Sequence, residues 1–203
     1  MVITYYGKQY FKLTLGDLTI ATNPPSKAQK PSRFGADIAL ITSKAEDYND
    51  PETVTLGDKT PFVIDSAGSY EVQSLFFEGA PSKVTIGKSD RINTIYGFEL
   101  DGIKIAFLGS AYDEKTLSTE AKQIASGADM VFISIAEDAS AAYKAATTFD
   151  PSIIIPMEYD ADSLKRFLKE AGQEKAEHLD KATLKRRDLE GKDGHIIVLD
   201  PQG

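Results

Sequence analysis

The alternation of apolar and polar positions predicts β-strands through most of the first 110 residues. The strands are predicted at Tyr10–Leu15, Leu18–Thr22, Asp37–Thr42, Thr53–Leu56, Pro61–Ile64, Asn93–Leu100 and Ile103–Leu108. Short turn sequences separate three pairs of these strands, at Gly16-Asp17, Gly57-Asp58 and Asp101-Gly102. Asp-Gly suits a type I′ turn, in which both central residues have positive φ. The first half of the chain is therefore expected to consist mainly of hairpins.

After Gly109 the apolar positions take a helical spacing that alternates with short buried strands. Helices are predicted at Leu117–Ser126, Ala139–Thr148 and Asp162–Ala171, and strands at Met130–Ile135, Ser152–Pro156 and His195–Leu199. Hairpins followed by βαβ units favour sheets covered by helices. The predicted fold class is α/β, arranged as a four-layer αββα sandwich.

Length and composition indicate one globular unit. The chain has 203 residues, of which 41% are hydrophobic, and we find no linker or repeat, so we expect one domain spanning residues 1–203. The N-terminal residues mix charged and aromatic side chains, unlike a signal peptide, and no apolar run approaches the roughly 18 residues of a membrane span. There is no cysteine, which excludes disulfides and thiolate ligands. We expect a cytoplasmic protein with no membrane partner.

The charge distribution argues against a nucleic-acid partner. The net charge is −8, whereas binding along a phosphate backbone needs a clustered basic surface. The strongest basic run is Lys185-Arg186-Arg187, and acidic residues flank it at Asp180, Asp188 and Glu190. We interpret this run as a solvated surface.

Common catalytic motifs are missing from the sequence. It contains no G-x-G-x-x-G, P-loop, G-x-S-x-G or H-E-x-x-H. Of the two histidines, His178 lies in a charged stretch and His195 begins the last predicted strand. Neither is expected to act as a general base, and no residue is assigned a catalytic role.

Five segments, in order along the chain, carry a family resemblance. Tyr6–Phe11 is similar to a Gly-His-x-x-Phe motif, and Thr42–Asn49 to Thr-His-x-His-x-Asp-His-Asn. Gly68–Val72 resembles Gly-x-Tyr-x-Val, Leu108–Ser110 resembles Leu-Gly-Asp, and Ile153–Tyr159 resembles Ile-Ile-Pro-Met-His-Tyr. Together they resemble the metallo-β-lactamase fold, in particular its ascorbate-6-phosphate-lactonase-like branch of small hydrolases, over residues 1 to 159. The resemblance implies the αββα sandwich of that fold.

The resemblance also implies a metal site at the edge of the two sheets, with a bound water as nucleophile. At its ligand positions this chain has Ser43, Ala45, Asp47, Tyr48, Ser110 and Glu158, of which only Asp47 keeps the family residue. A further histidine is expected after Gly79, where the chain has Lys83 and Val84. A zinc site needs about three nitrogen, sulfur or carboxylate ligands, and these positions offer two carboxylates. Zinc is therefore expected to be absent.

Three functions remain open at this point. The first, which we favour, is a metal-free, non-catalytic binding or scaffolding module for an unidentified small molecule or protein. In the second, Asp47, Glu158 and Asp113 converge on a weak oxygen-ligated divalent ion such as Mg²⁺, Ca²⁺ or Mn²⁺, or do acid–base work, as in a divergent hydrolase. The third is a conventional zinc hydrolase of the lactonase-like branch.

One charged residue is a candidate to compensate for a missing metal ion. Lys8 stands at the position of the histidine in the Gly-His motif. Two carboxylates left facing each other in a cleft would favour a nearby cation. We expect the Lys8 ammonium to pair with Asp47 or Glu158, against the alternative that it points to solvent.

Overall fold

The computed structural model describes residues 1–86 and 89–203. In chain order its strands are β1 (Val2–Tyr5), β2 (Phe11–Leu15), β3 (Leu18–Thr22), β4 (Ile38–Leu40), β5 (Phe62–Ile64), β6 (Gly68–Val72), β7 (Leu75–Ile86), β8 (Ser89–Leu100), β9 (Ile103–Phe107), β10 (Met130–Ser134), β11 (Ile153–Met157), β12 (His178–Leu179), β13 (Lys181–Thr183), β14 (His195–Ile196) and β15 (Val198–Leu199). The α-helices are α1 (Thr119–Ala125), α2 (Ala139–Thr147) and α3 (Ala161–Glu170). Short 3₁₀ helices occupy Lys27–Gln29, Pro51–Val54, Glu114–Thr116 and Arg186–Leu189.

Most strands lie in two mixed sheets. One sheet has the order β13-β1-β2-β3-β4-β5, and the other has the order β14-β11-β10-β9-β8-β7-β6. Strands β12 and β15 form a separate parallel pair. In the larger sheet β9, β10 and β11 are adjacent and parallel, so their carboxyl ends lie at the same edge.

The hairpin turns follow the sequence prediction. Strands β8 and β9 pair as far as Leu100 opposite Ile103, and the turn residues Asp101 and Gly102 have φ of 56° and 72°. These are the two positive φ angles that a type I′ turn requires. The β2–β3 hairpin and the three predicted helices are also present, with ends within a few residues of the predicted ones.

The strand prediction at Thr53–Leu56 is wrong. The chain forms a 3₁₀ helix at Pro51–Val54 instead, because Asp50 caps its start by accepting the Glu52 N–H and Pro51 supplies a helical φ at the first position. Leu56 makes only an isolated bridge to Lys59.

The predicted last strand is divided between two neighbours. His195–Ile196 pairs with β11, whereas Val198–Leu199 pairs with β12. Ile197 N–H still donates to the Ile154 carbonyl. Alternate residues of a strand direct their N–H groups to the same neighbouring strand. The next β11 residue that faces β14 after Ile154 is Pro156, which has no N–H to donate. The ladder with β11 therefore ends there.

The core is arranged in layers. One cluster lies between the sheets and joins residues such as Phe11 and Ile38 of the smaller sheet to Phe107 and Phe132 of the larger one. A second cluster packs the three helices against the other face of the larger sheet. The outer face of the smaller sheet is covered by a third cluster that contains Phe34 and reaches the 3₁₀ helix at Pro51–Val54. The predicted α/β class, two facing sheets with flanking helices, is confirmed. Along the described ranges, no helix is both long and apolar enough to cross a membrane.

Candidate functional site

Glu158 is the centre of a polar cluster at the edge where the two sheets meet. It follows β11 in the left-handed region, with φ 57°. Its carboxylate accepts three hydrogen bonds: from Gln9 Nε2 at 2.7 Å, Ser134 Oγ at 2.6 Å and the Tyr48 hydroxyl at 2.5 Å. All three donors are neutral side chains. We call Glu158 and these three donors the Glu158 cluster.

The parallel strands bring Glu158 and Ser134 of this cluster close to the neighbouring Ser110. Ser110 comes shortly after β9, Ser134 is the last residue of β10, and Glu158 follows β11 directly. Polar residues at the carboxyl ends of adjacent parallel strands lie side by side at one sheet edge. The smaller sheet supplies Gln9 from the β1–β2 connection and Tyr48 from the loop after β4.

Gln9 connects the cluster to a buried polar network. Its Nε2 also donates to Ser110 Oγ at 2.9 Å, and its Oε1 accepts from Asn23 Nδ2 at 2.6 Å. Asn23 also donates to Thr42 Oγ1 and accepts the Thr42 N–H at 2.7 Å. Among the described residues, no buried side-chain nitrogen or oxygen lacks a hydrogen-bond partner. Each buried side-chain polar atom of the network therefore has at least one partner within the chain.

A second amide holds the turn that carries Ser110. The fully buried Asn93 donates to the Leu108 carbonyl and accepts the Ser110 N–H, both at 2.9 Å. Gly109 lies between these residues with φ 58°, and a Cβ built on it would stand 2.3 Å from Asn93 Oδ1. The close approach of the two segments therefore depends on glycine at this position.

Two tyrosines near Glu158 are held in their neutral form. Burial raises the pKa of Tyr48, and the neighbouring Glu158 carboxylate raises it further. Burial also raises the pKa of Tyr5, whose hydroxyl donates to the Lys8 carbonyl and accepts the Glu158 N–H. Both hydroxyls consequently remain protonated donors at neutral pH.

Lys8 and Asp47 form a separate pair at the surface. Lys8 Nζ lies 3.0 Å from Asp47 Oδ1 and also donates to Gln29 Oε1, while Gln29 Nε2 donates to Asp47. The hydrogen bond from Lys8 is the main cause that holds the pKa of Asp47 below its usual value. Both side chains are about half exposed, so the pair is worth no more than about 1 kcal/mol. Among the described contacts, Lys8 is linked to Glu158 through its backbone carbonyl, which accepts the Glu158 N–H.

The other residues singled out from the sequence have different environments. Ser43 is buried and its Oγ accepts the Ala45 N–H at 3.4 Å, in an irregular loop that includes a turn from Ala45 to Tyr48. Asp113 caps the 3₁₀ helix at Glu114–Thr116. His178 lies 2.9 Å from Asp200, and His195 lies in β14. The structure thus brings Tyr48, Ser110 and Glu158 together, while Asp47 is engaged by Lys8 and Asp113 by a helix end.

Sequence reasoning missed Gln9, Ser134 and Asn23. Ser134 had a usable signal, since it ends a buried strand that is parallel to those preceding Ser110 and Glu158. Gln9 and Asn23 lie at strand ends in the smaller sheet, and nothing in their spacing distinguishes them from solvated polar residues.

A family model described as "Beta-lactamase superfamily domain" matches residues 2–158 of the chain. The chain belongs to this superfamily. Solved structures agree on the metallo-β-lactamase fold. A proposed zinc-dependent hydrolase of that superfamily from Thermotoga maritima superposes with a TM-score of 0.75 at 21% identity, covering 99% of each chain. A proposed metal-dependent hydrolase from Parabacteroides distasonis gives a TM-score of 0.65 at 23% identity, covering 84% of this chain and 89% of its own.

A third similar structure is that of Igni18, a metallo hydrolase from Ignicoccus hospitalis. It superposes with a TM-score of 0.63 at 15% identity, covering 100% of this chain and 96% of its own. A search among proteins of curated function gave no significant match. At these identities the structural likeness shows the shared fold alone.

The metal centre that this superfamily implies does not fit the residues present. Zinc needs about three nitrogen, sulfur or carboxylate ligands, and the Glu158 cluster contains one carboxylate beside an amide and two hydroxyls. The two hydroxyls and the amide direct their hydrogens, not their lone pairs, at Glu158. Within residues 1–86 and 89–203, no group of three or more His, Asp or Glu side chains is placed to hold a metal ion.

Proposed function

We propose that this chain is a metal-free, non-catalytic member of the metallo-β-lactamase superfamily that acts as a binding or scaffolding module. By its motifs we assign it to the ascorbate-6-phosphate-lactonase-like branch. The observation that carries the proposal is that three neutral donors from the chain itself bind the Glu158 carboxylate, and no charged group or second carboxylate is among them.

The chemistry of this donor set supports a silent site. Metal-assisted hydrolysis needs a Lewis acid and a water of lowered pKa, and the ligands for such an ion are replaced by groups that bond to one another. A general base needs a free lone pair directed at the substrate. Gln9, Ser134 and Tyr48 instead engage three of the roughly four lone-pair positions of the Glu158 carboxylate.

The alternative is a divergent metal-dependent hydrolase with a carboxylate-rich site. The solved relatives described as metal-dependent hydrolases favour it. Such a site would need Asp47 to leave Lys8, 3.0 Å away, and Asp113 to leave its helix cap. The free energy of binding the ion would then have to exceed the free energy lost with the Lys8–Asp47 pair and the Asp113 helix cap.

Metal analysis combined with hydrolysis assays tests the proposal. Protein purified without chelators is expected to contain far less than one zinc, manganese, magnesium or calcium ion per chain. It is also expected to show no hydrolysis of lactone, phosphodiester or β-lactam substrates, with or without added zinc or manganese, because no residue set supplies the metal-bound water.

Matched variants separate site chemistry from contamination. Asp47→Ala removes the one family ligand that is retained, and Asp58→Ala removes an exposed carboxylate in a turn. Metal-dependent turnover that survives in Asp58→Ala and disappears in Asp47→Ala would overturn the proposal in favour of the divergent hydrolase.

A further inference from the structure

A cleft opens beside the polar network, between three segments of the chain. It has a volume of about 520 Å³ and is lined by residues 42–45 after β4, residues 65–67 between β5 and β6, and the β7–β8 hairpin. Thr42 belongs to both features, since it lines the cleft and accepts a hydrogen bond from Asn23. The cleft thus lies at the sheet edge where the superfamily places its chemistry.

The size and lining of the cleft suit a small molecule. Small-molecule sites typically have volumes of roughly 300 to 1,000 Å³ and a largely apolar wall with a few polar groups. Here Ala45, Ala67, Pro81 and Ile92 supply apolar surface, and Ile92 is 70% exposed. Ser43 lies at the wall and, among the described residues, its hydroxyl donates to no partner.

The part of the cleft lining that the structure describes includes two cations, Lys44 and Arg91. Lys44 Nζ lies 3.5 Å from Asp65 Oδ2 in an ion pair. Arg91 also lines the cleft and forms no ion pair with any residue that the structure describes. The positive charge of Arg91 also acts on Asp47, where it is the smallest of several contributions to the pKa of that carboxyl and lowers it.

We propose that this cleft binds a small organic anion, with its carboxylate or phosphate group on the Arg91 guanidinium and its apolar part on Ala67 and Ile92. The planar guanidinium donates two parallel hydrogen bonds to an oxyanion. The net charge of −8 repels long polyanions from the surface as a whole. A small anion that contacts the protein mainly at Arg91 meets less of this repulsion. The inference deepens the proposed binding role by naming the ligand class.

Isothermal titration of EDTA-treated protein with benzoate, phenyl phosphate and neutral benzamide tests this inference. At least one of the two anions is expected to bind saturably, and more tightly than benzamide. Comparison of the two anions shows whether a carboxylate or a phosphate is the preferred group. Because the protein is stripped of metal, the result does not depend on whether the separate metal analysis supports a silent site.

Variants locate the binding. Arg91→Gln is expected to weaken anion binding by about tenfold or more, since a charge-assisted pair is lost. Arg166→Gln removes an exposed arginine on α3 and is expected to leave binding unchanged. Ala67→Trp, at an exposed position, is expected to block the cleft without affecting the core.

Three results would overturn the inference. They are no saturable binding of either anion to protein with native circular dichroism, equal binding of benzamide, or undiminished binding in both Arg91→Gln and Ala67→Trp. If Arg91→Gln fails to fold, Arg91→Lys keeps the charge but loses the paired donors, and it is expected to bind the anion more weakly than the wild type.

Discussion

Tyr48 makes the contact to Glu158 that a single substitution removes most cleanly, because phenylalanine keeps the ring and deletes only the hydroxyl. The bond joins a buried hydroxyl to a carboxylate, a type of hydrogen bond worth about 1.5 to 3 kcal/mol. Tyr48→Phe is expected to lower the free energy of unfolding by about that amount, measured by urea denaturation. Tyr143→Phe is the control, since within the described chain its hydroxyl has no partner, and it is expected to change stability by less than about 0.5 kcal/mol.

The pH dependence of this effect has a defined sign. Because the pKa of Tyr48 is raised in the folded protein, its contribution is fully present below the unfolded-state value of about 10. It is lost only as pH rises from there towards the folded-state value. The difference between wild type and Tyr48→Phe should therefore be constant between pH 6 and 9. A difference that varies across this range would contradict a protonated Tyr48 donor.

At the same scale, three of the positions taken from the family motifs, Tyr48, Ser110 and Glu158, lie close together in the structure. The motifs did not indicate which side chains would be their hydrogen-bond partners. Gln9 is fully buried and contacts both Ser110 and Glu158, although the motif draws attention to its neighbour Lys8. Which of two adjacent polar residues turns inward depends on local backbone geometry, here the left-handed φ of 50° at Lys8, and this is not encoded in residue type alone.

Gly109 shows how strongly one turn element is constrained. Gly109 and Gly102 both have a left-handed φ, 58° and 72° respectively. Replacing either glycine by alanine therefore costs about 1 kcal/mol of backbone strain. At Gly102 the nearest atom to an added Cβ is 4.0 Å away, whereas at Gly109 it is 2.3 Å away. Gly109→Ala is expected to destabilise the protein by at least about 2 kcal/mol more than Gly102→Ala, as measured by thermal unfolding. Equal losses would mean that Asn93 and Thr42 can move apart freely.

Elements whose pattern is local were predictable from the sequence, and elements that depend on a distant partner were not. The β8–β9 hairpin and α3 carry their own turn or amphipathic signals. Strand β7 contains Gly79 and Pro81, which argue against a strand in isolation. It is nevertheless stable because β8 pairs with it from Phe77 to Ile86, and Pro81 lies beyond the last residue paired with β6.

At the scale of the whole molecule, residues 159–203 lie outside the family match yet contribute to the central core. Strand β13 pairs with β1, and Ala182, Leu184 and Leu189 belong to the cluster between the sheets. We therefore expect one cooperative unit, with coincident unfolding curves from far-UV circular dichroism and tyrosine fluorescence. Leu184→Ala is expected to lower the free energy of unfolding by about 2 to 4 kcal/mol, and to shift the midpoints of both curves together. A second transition, unaffected by this substitution, would identify a separate C-terminal unit.

The interlocked donors around Glu158 also bear on whether laboratory evolution could give this scaffold a zinc centre. A histidine at position 158 would leave two hydroxyls and an amide without their shared acceptor, long before a full ligand set exists. Replacing Gln9 alone would likewise remove one hydrogen-bond partner from Asn23 and one from Ser110. Each first step therefore loses stability and gains no metal affinity. A selection started from this chain would need several simultaneous changes, or a stabilised parent that tolerates the intermediate losses.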